Sequence, residues 1–448
     1  MKQNNNEQNK KEKQPNSPIA SAIFSDGTLV EMVYEHEQKK SALVIWQDNQ
    51  WRVEQFLDDG AGNRLVPYSP ENNLIKNEIV LFPSHPQEYE SEETLRSEVQ
   101  DFIHRFVDIS PLFEKIASYY VLFSWIYDGF NELPYLRVRA DPGSGKTRFL
   151  ITIGSLCYKP IFASGASTVS PLFRIIDIFR GTLIIDEGDF RLSDEKAEVV
   201  KILNNGNDRG FPVLRSEVSP KHEYNPTAYI VYGPKLVATR GFFQDRALES
   251  RCLTEEMGQH KLREDVPINL PPSHKEEALN LRNKLLLFRF RNFHKRTLTD
   301  ELVDRSIEPR LNQIFVPLLS IIEDTKAREE LRELARKYHQ EFVTDRGMDT
   351  EAQVLEIIKH MISAGESRLS VKDITEWFID KHGTDYERKI TSKWIGNIIR
   401  KKLRLMTQKS NGVFVIPLTE QPKLHRLYER YGLYEQETGG LQSEVGAS

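Results

Sequence analysis

Apolar and polar residues alternate in short runs from Ala20 to about Pro86, as in TLVEMVYE, ALVIWQ, WRVEQFL and EIVLF. Asp26-Gly27, Asp48-Asn49 and Asp59-Gly60 interrupt these runs with turn chemistry. A period of two predicts half-buried strands, so residues 20–90 are expected to form a small β-rich domain. The period lengthens at Ser91, where Val99, Phe102, Ile103 and Phe106 recur on one helical face. Ser91 suits an N-cap, and Glu92 and Glu93 meet the positive end of the helix dipole. Residues 91–133 are expected to hold this helix and a second one running from Pro111 to Tyr127.

After Pro134 short apolar runs alternate with helical periods: YLRVRA, TRFLITIGSLC, KPIFASG, SPLFRIIDIF, GTLIIDE, KAEVVKILNN and GPKLVAT. Strands alternating with helices predict an α/β core, a parallel sheet between helices, over residues 134–255. Helices are expected over 256–345, and three helices with a hairpin turning at Asn411-Gly412 over 349–418. Residues 1–19 and 419–448 read as polar tails, the first of them disordered. The longest apolar run, Tyr119 to Tyr127, stops at Asp128, about half the roughly 20 residues of a membrane span. The charged N-terminus MKQNNNEQNKKEKQPNSP has no apolar segment behind it, so neither a secretory signal nor a membrane anchor is expected.

The chain has 448 residues, 39% of them hydrophobic and 28% charged, which suits a soluble protein of several domains. Lys+Arg 61 against Asp+Glu 66 leaves a net charge of −5, so any nucleic-acid contact must be local. Cys157 and Cys252 stand alone, which argues against a disulfide framework, a zinc site or a CxxC redox pair and fits the cytoplasm.

The sharpest local signal is Ala140-Asp-Pro-Gly-Ser-Gly-Lys146-Thr147, set between the strand pattern YLRVR and the helix pattern TRFLITIGSL. Gly143, Ser144 and Gly145 let successive backbone N–H groups turn toward a phosphate at a helix N-terminus. Lys146 supplies charge to the β- and γ-phosphates, and Thr147 offers a hydroxyl to Mg²⁺, as in a P-loop. ATP and Mg²⁺ are the expected cofactors. Ala140 replaces the first glycine of GxxxxGK[ST], at the strand end where phosphate is not touched. Downstream, the strand pattern Gly181-Thr-Leu-Ile-Ile ends in Asp186-Glu187. Asp186 is expected to hold Mg²⁺ through water, and Glu187 to polarise the attacking water.

In this order the chain resembles the AAA+ ATPases. The resemblance implies that Thr239, closing the strand GPKLVAT, is the sensor 1 residue. It implies that Arg251 in ALESRC, similar to the SRC motif of clamp loaders, reaches the neighbouring subunit's ATP, with Arg246 as the second candidate. Arg310, following Ser306-Ile-Glu-Pro309, resembles the sensor 2 position and would touch γ-phosphate in cis or in trans. Between Glu187 and Thr239 the pattern reads as a helix and an inserted hairpin at about 210–232. Minichromosome-maintenance and related helicases carry a DNA-gripping hairpin at this point. Its tip here would present Lys221 and His222 to phosphate, with Arg215 at the base; a purely structural hairpin is the alternative.

The three helices and hairpin of 349–418 describe a winged helix. Between Arg388 and Thr419 there is no acidic residue, while Lys389, Lys393, Arg400, Lys401, Lys402 and Lys409 are basic, a footprint for DNA backbone. Trp394 has helix-core spacing and is expected to be buried rather than to stack on bases. The whole order resembles the MCM-like replicative helicases of phages and mobile elements over roughly residues 90–418. That resemblance implies a ring-forming, hexameric helicase that moves on single-stranded DNA, with a primase or initiator as a further partner. A helicase loader or initiator that binds DNA without unwinding is the alternative. A DNA-dependent ATPase in phage defence or transcriptional control shares every motif.

Overall fold

In the computed structural model the described residues are 16–164, 167–186, 194–216, 226–243, 245–295, 299–347, 349–366, 368–383, 386 and 389–433. They divide into two compact units, one ending at Glu333 and the other starting at Leu334.

The first unit opens with β1 (Asn16–Ile19), β2 (Ser21–Ile23), β3 (Leu29–Glu35), β4 (Lys40–Gln47), β5 (Gln50–Glu54), β6 (Leu57–Asp58), β7 (Arg64–Pro67) and the short helix α1 (Asn73–Lys76). An antiparallel sheet runs β2-β3-β4-β5, and a smaller one runs β1-β7-β6. β1 lies inside the stretch expected to be a tail; it pairs in parallel with β7 from Asn16 opposite Arg64 to Ile19 opposite Pro67. β3 and β4 are also buried on both faces, not half-buried as their alternation predicts. A buried carboxylate explains how a polar position survives there. Glu31, 2% exposed, lies 2.6 Å from Arg289 and 3.1 Å from Lys159, and accepts the Tyr158 hydroxyl at 2.7 Å. Arg289 also makes a two-pronged pair with Asp128, both contacts at 2.7 Å. Burial alone would cost such charges several kcal/mol, and the opposite charges of Glu31 and Asp128 offset that cost. Although burial opposes it, Asp128, Tyr158 and Glu31 keep Arg289 protonated. Burial, with Arg289 adding to it, pulls Lys159 down to about 8. The N-terminal sheet is thereby keyed to Asp128, Lys159 and Arg289 of the same unit.

The helices α2 (Glu92–Phe106) and α3 (Pro111–Ser124) lead into the central layer: β8 (Tyr135–Arg139), α4 (Lys146–Gly154), β9 (Ile161–Ser164), α5 (Val169–Phe179), β10 (Leu183–Asp186), α6 (Asp194–Asn205), β11 (Val213–Ser216), β12 (Pro226–Tyr229), β13 (Lys235–Thr239), α7 (Arg246–Glu249) and β14 (Cys252–Glu256). Five of these strands form one sheet in the order β14-β8-β13-β10-β9, every neighbouring pair parallel. Continuous apolar runs suit strands covered on both faces, and every residue of β13 is buried. The parallel arrangement brings the C-terminal ends of β8, β10 and β13 to one edge. β11 and β12 form a separate antiparallel pair closing at Ser216 opposite Pro226. The tip expected to carry Lys221 and His222 lies outside the described residues, as does Glu187. The unit continues through α8 (Ser273–Asn292) and α9 (Pro309–Leu319) into α10 (Thr325–Gly347).

The second unit holds α11 (Thr350–Ser363), β15 (Leu369–Ser370), α12 (Val371–His382), α13 (Ser392–Asn397), β16 (Gln408–Ser410), β17 (Val413–Ile416) and α14 (Gln421–Arg430). Its antiparallel sheet runs β15-β17-β16. Ser410 pairs with Val413 across Asn411 at φ 48° and Gly412 at φ 83°, the two positive angles of a tight hairpin turn. α14 replaces part of the tail expected after residue 418. Leu424, Leu427 and Tyr428 recur at helical spacing and are buried in this unit's core. Among the described residues no helix is long and apolar enough to cross a membrane.

Candidate functional site: a glycine loop at the sheet edge

Ala140 caps β8, and its N–H donates to the Thr239 carbonyl at 3.1 Å, fixing the loop start against β13. It is 8% exposed and is not among the residues that line the cleft described below, so the alanine at this position displaces nothing a phosphate would need. Gly143 (φ 84°) and Gly145 (φ 92°) then adopt left-handed backbone that side-chain-bearing residues avoid. A Cβ on Gly143 would meet nothing within 4 Å, so the loop is open at that point. Ser144 spends its hydroxyl on the Asp141 carbonyl. Lys146 opens α4, and its ammonium donates to the carbonyls of Ala140 and Asp141, each at 2.7 Å.

The next residue joins two elements. Thr147 donates its hydroxyl to Asp186 at 2.7 Å, from the first turn of α4 to the end of β10. β13 lies between β8 and β10, which sets Thr239 between the loop and the carboxylate. Thr239 is 1% exposed and its hydroxyl has no hydrogen-bond partner. An unpaired buried hydroxyl costs about 1–3 kcal/mol, which marks a place where a ligand or water is expected to supply the bond. A cleft of about 320 Å³ gathers Gly143, Gly145, Lys146, Thr147, Asp186 and Thr239, joined by Arg148 and Arg240.

Three further contributors lie outside the residues that the sequence motifs single out. Arg240 follows Thr239 directly and lines the same cleft. Arg148 follows Thr147 and donates to the carbonyls of Pro267 at 2.8 Å and Ile268 at 2.5 Å, tying the segment after β14 to the base of the loop. In that segment Gly258 (φ 82°) sits so close to the loop that a Cβ would come within 2.8 Å of the Ser144 Cβ. The adjacency of both arginines to motif residues is visible in the sequence, but their direction is not.

The arginines expected at a subunit interface lie at the other end of the sheet. Tyr135 begins β8, and its N–H donates to the Arg251 carbonyl at 2.9 Å, so Arg251 stands a full strand, about 16 Å, from the loop. Its side chain is turned inward. It is 6% exposed, and it donates to Asn204 at 2.8 Å, Asn207 at 2.5 Å and the Ala247 carbonyl at 2.7 Å. Those three oxygens draw the guanidinium inward. Burial, and then the charge of nearby Arg310, hold its pKa below the usual arginine value. Gln313, on the helix that begins with Pro309 and Arg310, donates to Glu132 at 3.3 Å just ahead of β8. Arg246, at the start of α7, is exposed.

Arg215 pairs with Glu198 at 2.8 Å, and its guanidinium lies 5.0 Å from the Phe173 ring centre, so its charge is offset within the chain. In the second unit Lys389, Lys393, Arg400, Lys401, Lys402 and Lys409 are all exposed, Lys402 lying 3.5 Å from Glu351. Trp394 packs edge-on to Phe378 and Tyr386 at 5.9 and 5.5 Å.

No family model matches the chain, and no curated protein matches it. Among solved structures it is similar to the apo C-terminal region of NrS-1 at 12% identity and a TM-score of 0.36, over 86% of this chain and 96% of that one. It is similar to JCV helicase at 14% identity and a TM-score of 0.24, over 56% of this chain and 62% of that one.

Proposed function

We propose that this chain is an AAA+ P-loop ATPase acting as a ring-forming motor on single-stranded DNA. The observation that carries the reading is the Thr147–Asp186 hydrogen bond beside the unpartnered Thr239 hydroxyl, at the mouth of a loop with two left-handed glycines. This donor set fits a nucleotide triphosphate with Mg²⁺. Thr147 and Asp186 would hold the metal, and a single carboxylate with a hydroxyl suits Mg²⁺, which keeps waters and substrate phosphates as its other ligands. Mg²⁺ supplies charge neutralisation on the transferring phosphoryl group.

The remaining steps belong to side chains. The N–H groups from Gly143 to Thr147 cradle the phosphates, and Lys146 swings from the Ala140 and Asp141 carbonyls to the terminal phosphates. Thr239 donates its hydroxyl to the γ-phosphate or the attacking water, and Glu187 orients that water as general base. Arg251, once released from Asn204 and Asn207, or the exposed Arg246 acts across the subunit boundary on a neighbour's nucleotide, and Arg310 touches the γ-phosphate in cis or in trans. A homo-oligomer, six subunits by its resemblance to the MCM-like helicases, is therefore part of the proposal.

DNA contact is assigned to the hairpin of β11 and β12, through Lys221 and His222, and to the second unit as a winged helix. A loader that recruits another motor is the competing reading. Strand displacement on a forked substrate, with ATP hydrolysis and light scattering measured alongside, separates the two. Unwinding by an oligomer, lost in Glu187→Gln, supports the motor; DNA-stimulated hydrolysis without unwinding supports the loader.

A further inference from the structure

The second unit carries an aromatic side chain that its own core does not use. In β17, Val415 and Ile416 are buried while Phe414 turns outward and is 49% exposed. Phe414 sits on the middle strand of the sheet, where a β-strand surface ordinarily packs or carries polar groups. Two cations frame it. Lys409 is its direct cross-strand partner, so both side chains rise from the same face. Arg400 brings its guanidinium over the ring, 5.6 Å from its centre, which leaves the opposite face for a base.

The position of Arg400 is itself built. It lies in the turn Ile398–Lys402, where α13 widens into a π-helix, a distortion that re-aims side chains. It also packs flat on Gly396, since a Cβ there would come within 3.1 Å of both terminal nitrogens. A glycine inside α13 costs roughly 1 kcal/mol of helix propensity relative to alanine, and here it leaves room for that guanidinium. Lys401, Arg404 and the apolar Met406 are exposed in the segment leading to the hairpin, Met406 at 63%.

We propose that Phe414 is a stacking platform for an unpaired base of single-stranded DNA, with Arg400 and Lys409 holding the flanking phosphates. Charge complementarity selects a polyanion: from Lys389 to Leu418 the chain contains no carboxylate side chain. The half-exposed ring selects a strand with free base faces, because bases stacked inside a duplex offer none. The choice of DNA rests on the proposed motor function. The platform is distinct from Trp394, whose ring is committed to Phe378 and Tyr386.

The test uses the full chain with fluorescein-labelled oligothymidine, a matching blunt duplex, oligouridine, and an oligothymidine carrying one 2-aminopurine. Phe414→Ala should weaken the single strand about ten-fold or more, the worth of one base–aromatic stack, and abolish any protein-induced quenching of 2-aminopurine. Phe414→Trp should restore both, and Phe414→Leu should keep the fold without restoring the quench. Arg400→Ala should lower the salt slope of binding by about 0.7 for each phosphate it no longer holds. Unchanged affinity and quench in Phe414→Ala overturn the platform, and so does an equal loss on blunt duplex. Equal loss for oligouridine with tighter wild-type binding to it overturns DNA as the occupant. A platform that fails while Lys146→Ala still abolishes ATP hydrolysis leaves the motor standing; a platform that holds in a protein with no hydrolysis removes the motor alone.

Discussion

Thr239→Val tests whether the cleft is built for a ligand at the expense of the empty protein. Threonine and valine have nearly the same shape, and both are β-branched and suited to a buried strand such as β13. The exchange removes one hydroxyl that is 1% exposed and unpartnered. Because an unsatisfied buried polar group costs about 1–3 kcal/mol, the variant without nucleotide should be stabilised by about 1 kcal/mol or more. The same hydroxyl is assigned to the γ-phosphate or attacking water, where loss of one donor lowers turnover about 10²-fold, roughly 2.7 kcal/mol of barrier. Denaturant unfolding without nucleotide, together with steady-state ATP hydrolysis, reads both effects on one preparation. Stability should rise while turnover falls, and Thr239→Ser should recover turnover. A variant that is less stable than the parent, or that hydrolyses ATP at the parental rate, refutes the assignment.

Other consequences follow from neighbouring geometry. Gly258→Ala forces a Cβ into left-handed backbone at φ 82° and within 2.8 Å of Ser144, so the loop should shift and nucleotide affinity should fall about ten-fold, read by fluorescent nucleotide titration. His274 is buried against the rings of Phe102 and Phe106; burial, reinforced by Arg148, Arg105 and Arg282, holds its pKa down to about 4. The folded state then binds fewer protons than the unfolded state between pH 4 and about 6.5. Stability should drop by up to about 3 kcal/mol as pH falls through that window, and unfolding curves of His274→Gln should flatten there. Glu31→Gln leaves Arg289 and Lys159 short of a buried counter-charge and should cost about 3–5 kcal/mol in thermal or denaturant unfolding of the first unit, although Glu31 lies far along the chain from the cleft residues.

What the sequence disclosed was local. Gly143 to Thr147 is a contiguous pattern whose strand and helix context lies within a few residues, and Asp186 and Thr239 close apolar runs that suit buried strands. The core sheet was legible for the same reason, since runs such as LIID and KLVAT carry their burial in their composition. Pairings across long stretches of chain were not. Glu31 reads as the polar half of an alternating strand until Arg289 is brought to it. Arg251 has the motif of an extended finger, yet Asn204 and Asn207, which turn it inward, belong to α6 and the turn after it. α14 was hidden by a polar surface: its amphipathic stripe of Leu424, Leu427 and Tyr428 is short and sits in a stretch otherwise typical of a tail.

The central claim is that the edge formed by β8, β10 and β13 is an ATP-hydrolysing site, and Mg²⁺-dependent phosphate release by the full chain tests it most directly. Wild type, Lys146→Ala and Asp186→Asn would be compared with and without oligothymidine. The predicted result is metal-dependent hydrolysis that the oligonucleotide stimulates and that each substitution lowers by about 10² or more. Hydrolysis that persists unchanged in both variants, or none in the folded wild-type protein with Mg²⁺ and single-stranded DNA present, would contradict it.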